Sequence, residues 1–127
     1  MVTSVKSSKP RKRRKFLYNA PSHARHKMMA GHLSEELSRK YNRRSLSIRK
    51  KDIVKIMRGE YKGKEGEVTS VNLKKYKIYV NGITVRKNNG KDALVPIHPS
   101  NCVLIDLYLE DRMRREILSR TSVEVSA

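Results

Sequence analysis

Fifteen lysines and arginines crowd the first fifty residues against two acids, a balance of +13. Residues 51–105 carry 11 against 5, or +6, and residues 106–127 carry 4 against 5, or −1, which together make the formal +18 of the chain. Like charges at this density oppose collapse, and such an excess is tolerable where a polyanion neutralises it. The distribution therefore predicts a basic extension placed ahead of a small folded unit. With 127 residues, a hydrophobic fraction of 37%, one Phe and no Trp, one modest domain with extensions is expected, and its core is small.

Several classes of function are disfavoured. Cys102 is the single cysteine, so no internal disulfide or cysteine-cluster zinc site can form. It lies in the apolar run NCVLIDLYL, where a buried thiol is expected, and a reducing intracellular compartment fits. No apolar run reaches the ~20 residues of a bilayer span, and no apolar segment follows the basic start as in a secretory signal. Membrane insertion is not expected. His23 and His26 stand at i, i+3 with His32 beyond, but a third metal ligand is wanting, since Glu35 and Glu36 serve a helix start. No carboxylate pair is placed for acid–base chemistry, because Glu65 and Glu67 flank Gly66 on an exposed turn. No serine sits on a nucleophile elbow. Neither an enzyme, a cofactor nor a metal is expected.

The extension divides in two. In residues 1–18, SSKPRKRRKF places Arg11, Lys12, Arg13, Arg14 and Lys15 in one run, which repulsion should keep unfolded in isolation. A solvated tail or an import address would look similar, but the excess of cation continues past this run. Residues 19–50 read as two short helices. Asn19 or Ser22 caps the first, which runs over His23–Met29 until Ala30-Gly31 breaks it. Ser34 caps the second, with Leu33, Leu37 and Tyr41 as its packing stripe and Arg39, Lys40, Arg43 and Arg44 as a cationic tip.

From residue 51 to 107 the period becomes two. DIVKIM, EVTSVNL, KIYV, ITV, ALVPI and NCVLIDL are separated by turn residues including Asn81-Gly82 and Asn88-Asn89-Gly90, which predicts five or six antiparallel strands closing into a small barrel. The stretch RGEYKGKEGEVTSV asks whether Gly59, Gly63 and Gly66 cradle a phosphate. A P-loop needs four residues between its glycines and a hydroxyl after its lysine; here three intervene and Glu65 stands at the hydroxyl position. A strand follows where the P-loop has a helix. The glycines instead suit a tight hairpin needing positive φ or close backbone approach. Residues 108–127 read as a helix and tail, with i, i+4 pairs Glu110–Arg114, Asp111–Arg115 and Glu116–Arg120 and an apolar stripe of Leu109, Met113 and Ile117.

These residues also carry a resemblance. YKGKEGEV with its flanking strands, Asp52 to Leu73, is similar to the KOW motif of SH3-like barrels in ribosomal and transcription proteins. YNAPSHARHKMM, LSEELSRKYNRRSLSIRKKD, and HPSN before VLIDLYLEDRMRREIL extend the likeness from about Phe16 to Leu118. Together they resemble the eukaryotic and archaeal family of large-subunit ribosomal proteins numbered twenty-six in eukaryotes and twenty-four in bacteria. The resemblance implies an SH3-like barrel with a basic helical extension and a C-terminal helix, embedded in ribosomal RNA near the polypeptide exit tunnel, binding early in subunit assembly. Asn19, Ala20, Pro21, Ser22 and His23 match its NAPSH element, Arg49 and Lys50 its IRK, Lys62 and Gly63 the KOW turn, and His98, Pro99 and Ser100 its HPS. Two departures are a single Asp52 after IRK and TSVEVSA in place of a basic tail.

The RNA-contacting set expected from charge and resemblance is therefore Arg11, Lys12, Arg13, Arg14, Lys15, Asn19, Ser22, His23, Arg25, His26, Lys27, Arg43, Arg44, Arg49, Lys50, Arg58, Lys62, Gly63, Lys64, Lys74, Lys75, Arg86, Lys87 and His98. Lys74-Lys75 and Arg86-Lys87 are the main phosphate-facing pairs of the barrel, and Tyr61, Tyr76 and Tyr79 are its rim aromatics. Expected partners are large-subunit ribosomal RNA and neighbouring ribosomal proteins, with no small-molecule substrate and no homo-oligomer. The expected location is the cytoplasmic ribosome, with nucleolar passage in a eukaryote. The alternatives are a KOW-containing transcription elongation factor, which would need a further domain ahead of the barrel, or a chromatin-like DNA binder.

Overall fold

The computed structural model describes residues 5–121. Its elements run α1 (Pro10–Asn19), α2 (Ser22–Met28), β1 (Ala30–Leu33), α3 (Glu35–Tyr41), β2 (Ser45–Ser47), β3 (Ile53–Ile56), β4 (Glu65–Asn72), β5 (Lys77–Val80), β6 (Thr84–Arg86), β7 (Asp92–Leu94), a 3-10 turn (Pro99–Asn101), β8 (Cys102–Asp106) and α4 (Arg112–Ser119). Residues 1–4 and the tail beyond Thr121, which includes most of TSVEVSA, lie outside the described residues.

The six apolar runs after Asp52 become β3 to β8, as their alternation predicts. Val54 and Ile56 point into the core from one face of β3, and Ile78 and Val80 do so from β5. β4 would lose this phase halfway along, since Val68 and Val71 are an odd number apart. A bulge between Val68 and Ser70 restores it: Val68 pairs with Val80 and Val71 with Ile78, so both valines reach the same side. Two of the three glycines have a direct geometric reason. Gly63 has φ +88° and closes the β3–β4 turn, while a Cβ on Gly66 would lie 2.7 Å from both the Asn81 carbonyl oxygen and Val80 Cγ1. β4, which contains Gly66, follows Gly63 as a strand, so the hairpin reading holds.

The extension differs from its expectation. Residues 10–19 form a helix, with Pro10 in its first turn, where the missing N–H costs nothing. Residues 19–50 hold two strands besides two helices, and the predicted boundary at 51 cuts through a sheet. The order is β2-β1-β8-β3-β4-β5, with β1 parallel to β8 and the other pairs antiparallel. Ala30-Gly31, read as a helix breaker, begins β1, and Gly31 lets Ile48 approach to a position 2.9 Å from where a Cβ would be. Met29, Leu33, Tyr41, Leu46 and Ile48 thus share one core with Val54, Ile56, Val68, Ile78, Val80 and Leu104. The cap readings divide. Ser34 does accept from the Leu37 N–H, whereas α2 starts after Pro21 without a side-chain cap.

The sheet is mixed with helices and stays open, which corrects the closed barrel. β6 and β7 form a separate two-stranded sheet, and the segment after β7 returns to β5 through one bridge, Ile78–Ile97. The outer edge of β2 takes a side chain where closure would need a strand: Arg114 of α4 donates to the Ser47 carbonyl. Leu109 and Ile117 of the expected stripe pack against the core, but Met113 does not. Met113 is 59% exposed, while Arg114 and Leu118 are buried. The pair Glu110–Arg114 does not form because Arg114 turns inward to Asp52; Asp111 pairs with Arg49, and Glu116 with Arg112 at 3.3 Å.

Candidate nucleic-acid interface

Asp52 lies at the entrance to β3 on the same face as Val54 and Ile56, and that face is core. Its carboxylate is fully buried and receives both Arg114 guanidinium N–H groups at 2.6 Å and the backbone N–H groups of Arg49 and Tyr108 at 2.9 Å. Arg114 donates further to the carbonyls of Tyr108 and Ser47. This knot fixes the β2–β3 connection, residues 48–51, to α4. Arg49 is drawn to Asp111, whose carboxyl its guanidinium holds below the usual carboxylate range. Lys51 adopts φ +72° and donates its N–H to the Val68 carbonyl, with its ammonium 5.0 Å from the centre of the Tyr108 ring.

A second arginine fixes the helices. Arg25 donates to the carbonyls of Tyr18, Ala20, Leu73 and Lys74 and lies 5.1 Å from the centre of the Tyr76 ring. The Tyr76 hydroxyl donates to the Leu17 carbonyl. The end of α1, the start of α2 and the β4–β5 turn are thereby one unit. Arg25 was expected on RNA, but its guanidinium is engaged within the protein. Arg43 is likewise directed to the carbonyls of Ser45 and Ile117.

Between these two knots runs a groove of about 520 Å³, lined by His26, Ser47, Arg49, Lys50, Lys51, Val71, Leu73 and Tyr108. It has cations on the rim and apolar side chains below. His26, Arg49 and Lys50 are exposed here, exposed Lys27 follows His26 in α2, and exposed Asn19, Ser22 and His23 stand at the α1–α2 junction. Lys74 and Lys75 are exposed on the turn that Arg25 grips, and the exposed cations Arg11 to Lys15 extend along α1. The remaining expected residues are elsewhere. Arg58, Lys62, Gly63 and Lys64 belong to the β3–β4 hairpin, where Lys64 lies 5.0 Å from the Tyr61 ring centre. Arg86 and Lys87 are at the end of the β6–β7 hairpin, and exposed Arg44 follows α3.

His98 precedes the 3-10 turn, and its Nδ1 accepts the Ser100 N–H at 3.2 Å. Burial and the charge of Lys77 press its pKa below the usual value. The Cys102 thiol is buried and pushed up to about 11 by desolvation. Among the described residues, no group of three His, Cys, Asp or Glu is arranged to hold a metal, and no helix is long and apolar enough to cross a membrane. Reading by charge missed Asp52, Arg114, Lys51 and Tyr108. The signal for Asp52 was available in its period-two alignment with Val54 and Ile56.

A family model for the ribosomal proteins called L26 in eukaryotes and L24 in archaea matches residues 7–121. The large ribosomal subunit protein uL24 of Korarchaeum cryptofilum (strain OPF8) is 55% identical over 121 residues, covering 95% of this chain and 92% of that protein. The uL24 protein of Methanosphaera stadtmanae is 48% identical over 114 residues, covering 90% and 97%. Both relatives are archaeal, so nucleolar passage finds no support. The family model and both of these relatives are ribosomal proteins. The chain belongs to this family of eukaryotic L26 and archaeal L24 ribosomal proteins and is a structural constituent of the large subunit, not an enzyme.

Proposed function

We propose that this protein binds large-subunit ribosomal RNA near the polypeptide exit tunnel and helps assemble the subunit, with neighbouring ribosomal proteins as further partners. The observation that carries the reading is the groove between the two arginine knots, where Arg49, Lys50, Lys51 and His26 stand beside the cationic helices. Membership of a ribosomal protein family supports ribosome association in the cytoplasm. In this reading β3, β4, β5 and β8 with the β6–β7 hairpin act as a KOW-type, SH3-like scaffold, and the Gly63 turn presents Lys62 and Lys64. The scaffold positions cations; the cations neutralise phosphates and hold RNA segments together.

The mechanism is electrostatic, so it is sensitive to salt. Neutralising roughly 6–10 phosphates should weaken binding by about 10³–10⁵ between 50 and 200 mM monovalent salt. Filter binding of the full chain to a large-subunit ribosomal RNA transcript measures this. An affinity that hardly changed over that range would overturn the mechanism. Sedimentation of cell extract should place the protein with large subunits, and its recovery only in free fractions would overturn the assignment.

A further inference from the structure

A second cleft lies at the opposite end of β3 from the groove. Its volume is about 270 Å³, and Arg58, Tyr61, Lys77, Val95, Pro96 and His98 contribute to its walls. The walls are held by backbone bonds. Ile78 and Ile97 exchange N–H to carbonyl bonds at 2.8 and 2.9 Å, and the Met57 N–H donates to the Asn101 carbonyl at 2.8 Å. The cleft is therefore formed before any ligand arrives.

His98 gives this cleft a chemical direction. Its Nδ1 faces both the backbone N–H of Ser100 at 3.2 Å and the Ser100 hydroxyl at 2.8 Å; the N–H can only donate, which favours the neutral ring with its proton on Nε2. Burial and Lys77 both favour the neutral ring. Nε2–H has no acceptor among the described residues. His98, with Nδ1 turned to the N–H and Oγ of Ser100 and its Nε2 edge without a partner among the described residues, lines a small cleft with two cations, Arg58 and Lys77. The charge suits a phosphate; the donor suits a base or ribose oxygen; the side chains of Val95 and Pro96 suit a base face.

We infer that this cleft takes a single unpaired nucleotide of RNA, its phosphate held by Arg58 and Lys77 and a base or sugar acceptor held by His98 Nε2–H. The volume lies just below the roughly 300 Å³ at which small-molecule sites begin, so the cleft takes at most one nucleotide and excludes a duplex. Glu60 also lines the cleft, so the phosphate belongs on the Arg58–Lys77 side. Single-stranded RNA offers such splayed nucleotides and paired RNA does not. The inference rests on the RNA-binding reading above and adds a second contact to it, so that one protein grips RNA at both ends of β3.

The test is NMR on the ¹⁵N-labelled full chain, with imidazole and backbone signals followed during titration. The probes are a single-stranded RNA pentanucleotide and a 12-base-pair RNA duplex. The single strand should move the His98 Nε2 signal and the duplex should not. Arg58→Gln with Lys77→Gln should weaken that response by about tenfold or more. These side chains are not core residues, and an unchanged spectrum elsewhere checks that the fold is intact. If the single strand perturbs Lys50, Lys51 and α2 but leaves His98 unmoved, the cleft is not a nucleotide site and the RNA-binding reading survives. A His98 response equally strong in the double variant would also overturn the inference. If neither probe nor a large-subunit ribosomal RNA transcript perturbs any signal, both readings fall.

Discussion

Replacing Arg114 by methionine should cost this protein a large part of its stability, although Arg114 is one of 30 basic residues and looks expendable by count. The guanidinium is 3% exposed and faces a carboxylate that is 0% exposed, with two N–H···O contacts of 2.6 Å. Methionine restores the volume but none of these bonds. Asp52 would keep the N–H groups of Arg49 and Tyr108 as donors while its charge stayed buried without a counterion. The carbonyls of Ser47 and Tyr108 would each lose the Arg114 donor. Removing one partner of a buried pair costs about 3–5 kcal/mol. Small domains have only about 5–15 kcal/mol in total.

Equilibrium urea unfolding at fixed salt, followed by far-UV circular dichroism, measures this loss. With a urea slope of about 1–3 kcal/mol/M, the midpoint should fall by at least about 1 M. Met113→Gln, one residue away and 59% exposed, is the control and should stay within about 0.5 kcal/mol. The double variant Asp52→Asn with Arg114→Met removes the stranded charge and should recover part of the loss. Should Arg114→Met cost under about 1 kcal/mol, the pair is not what docks α4. Were the double variant no better than the single, the cost would be one of packing and not of charge.

Two further outcomes follow from the turn and the thiol. Gly66→Ala places a Cβ 2.7 Å from the Asn81 carbonyl oxygen and should destabilise by about 1–3 kcal/mol, whereas Gly63→Ala, at φ +88° in open space, should lose about 1–2 kcal/mol with strand pairing intact. Amide hydrogen exchange of β4 and β5 separates the two, and equal loosening of these strands by both variants would refute the distinction. Cys102, buried with its pKa raised to about 11, is about one part in a thousand thiolate at pH 8. Its reaction with a chromogenic disulfide should be slow in the native protein and fast in urea, and equal rates would mean the thiol is not enclosed.

The strands after Asp52 were legible because each is local: short alternating runs between turn residues predict their own existence and face. β1 and β2 were not. They are four and three residues long, and β1 takes a parallel partner, β8, some seventy positions later, which no local pattern announces. Of the expected α4 stripe, Leu109 and Ile117 do pack against the core, whereas Met113 is exposed and Arg114, expected to pair with Glu110, takes the buried place. With Asp52 placed on the core face by its spacing from Val54 and Ile56, a buried cation becomes necessary, and the buried positions of α4 then fall at Arg114 and Leu118. The candidate site was legible as charge but not as geometry. Arg25 and Arg43 read like their neighbours, and only their carbonyl partners distinguish them from the exposed cations.

That division of the arginines bears on how the extension works. Five donors in a planar fork let Arg25 join carbonyls from the α1 end, the α1–α2 junction and the β4–β5 turn, which a lysine ammonium could not span. The grip reaches α1 at Leu17 and Tyr18 and the residue after it, Ala20. Ahead of that point Arg11, Lys12, Arg13, Arg14 and Lys15 stand in a helix with no buried residue, no side-chain cap and no acid in its first turn. The positive end of the helix dipole adds to their repulsion. Stability along α1 therefore falls away from the Arg25 end toward Pro10, and a phosphate near the N-terminal turn would relieve charge and dipole together. The extension is then neither a free tail nor a finished helix. Its root is set by the protein, and its cationic end carries a repulsion that a polyanion would relieve.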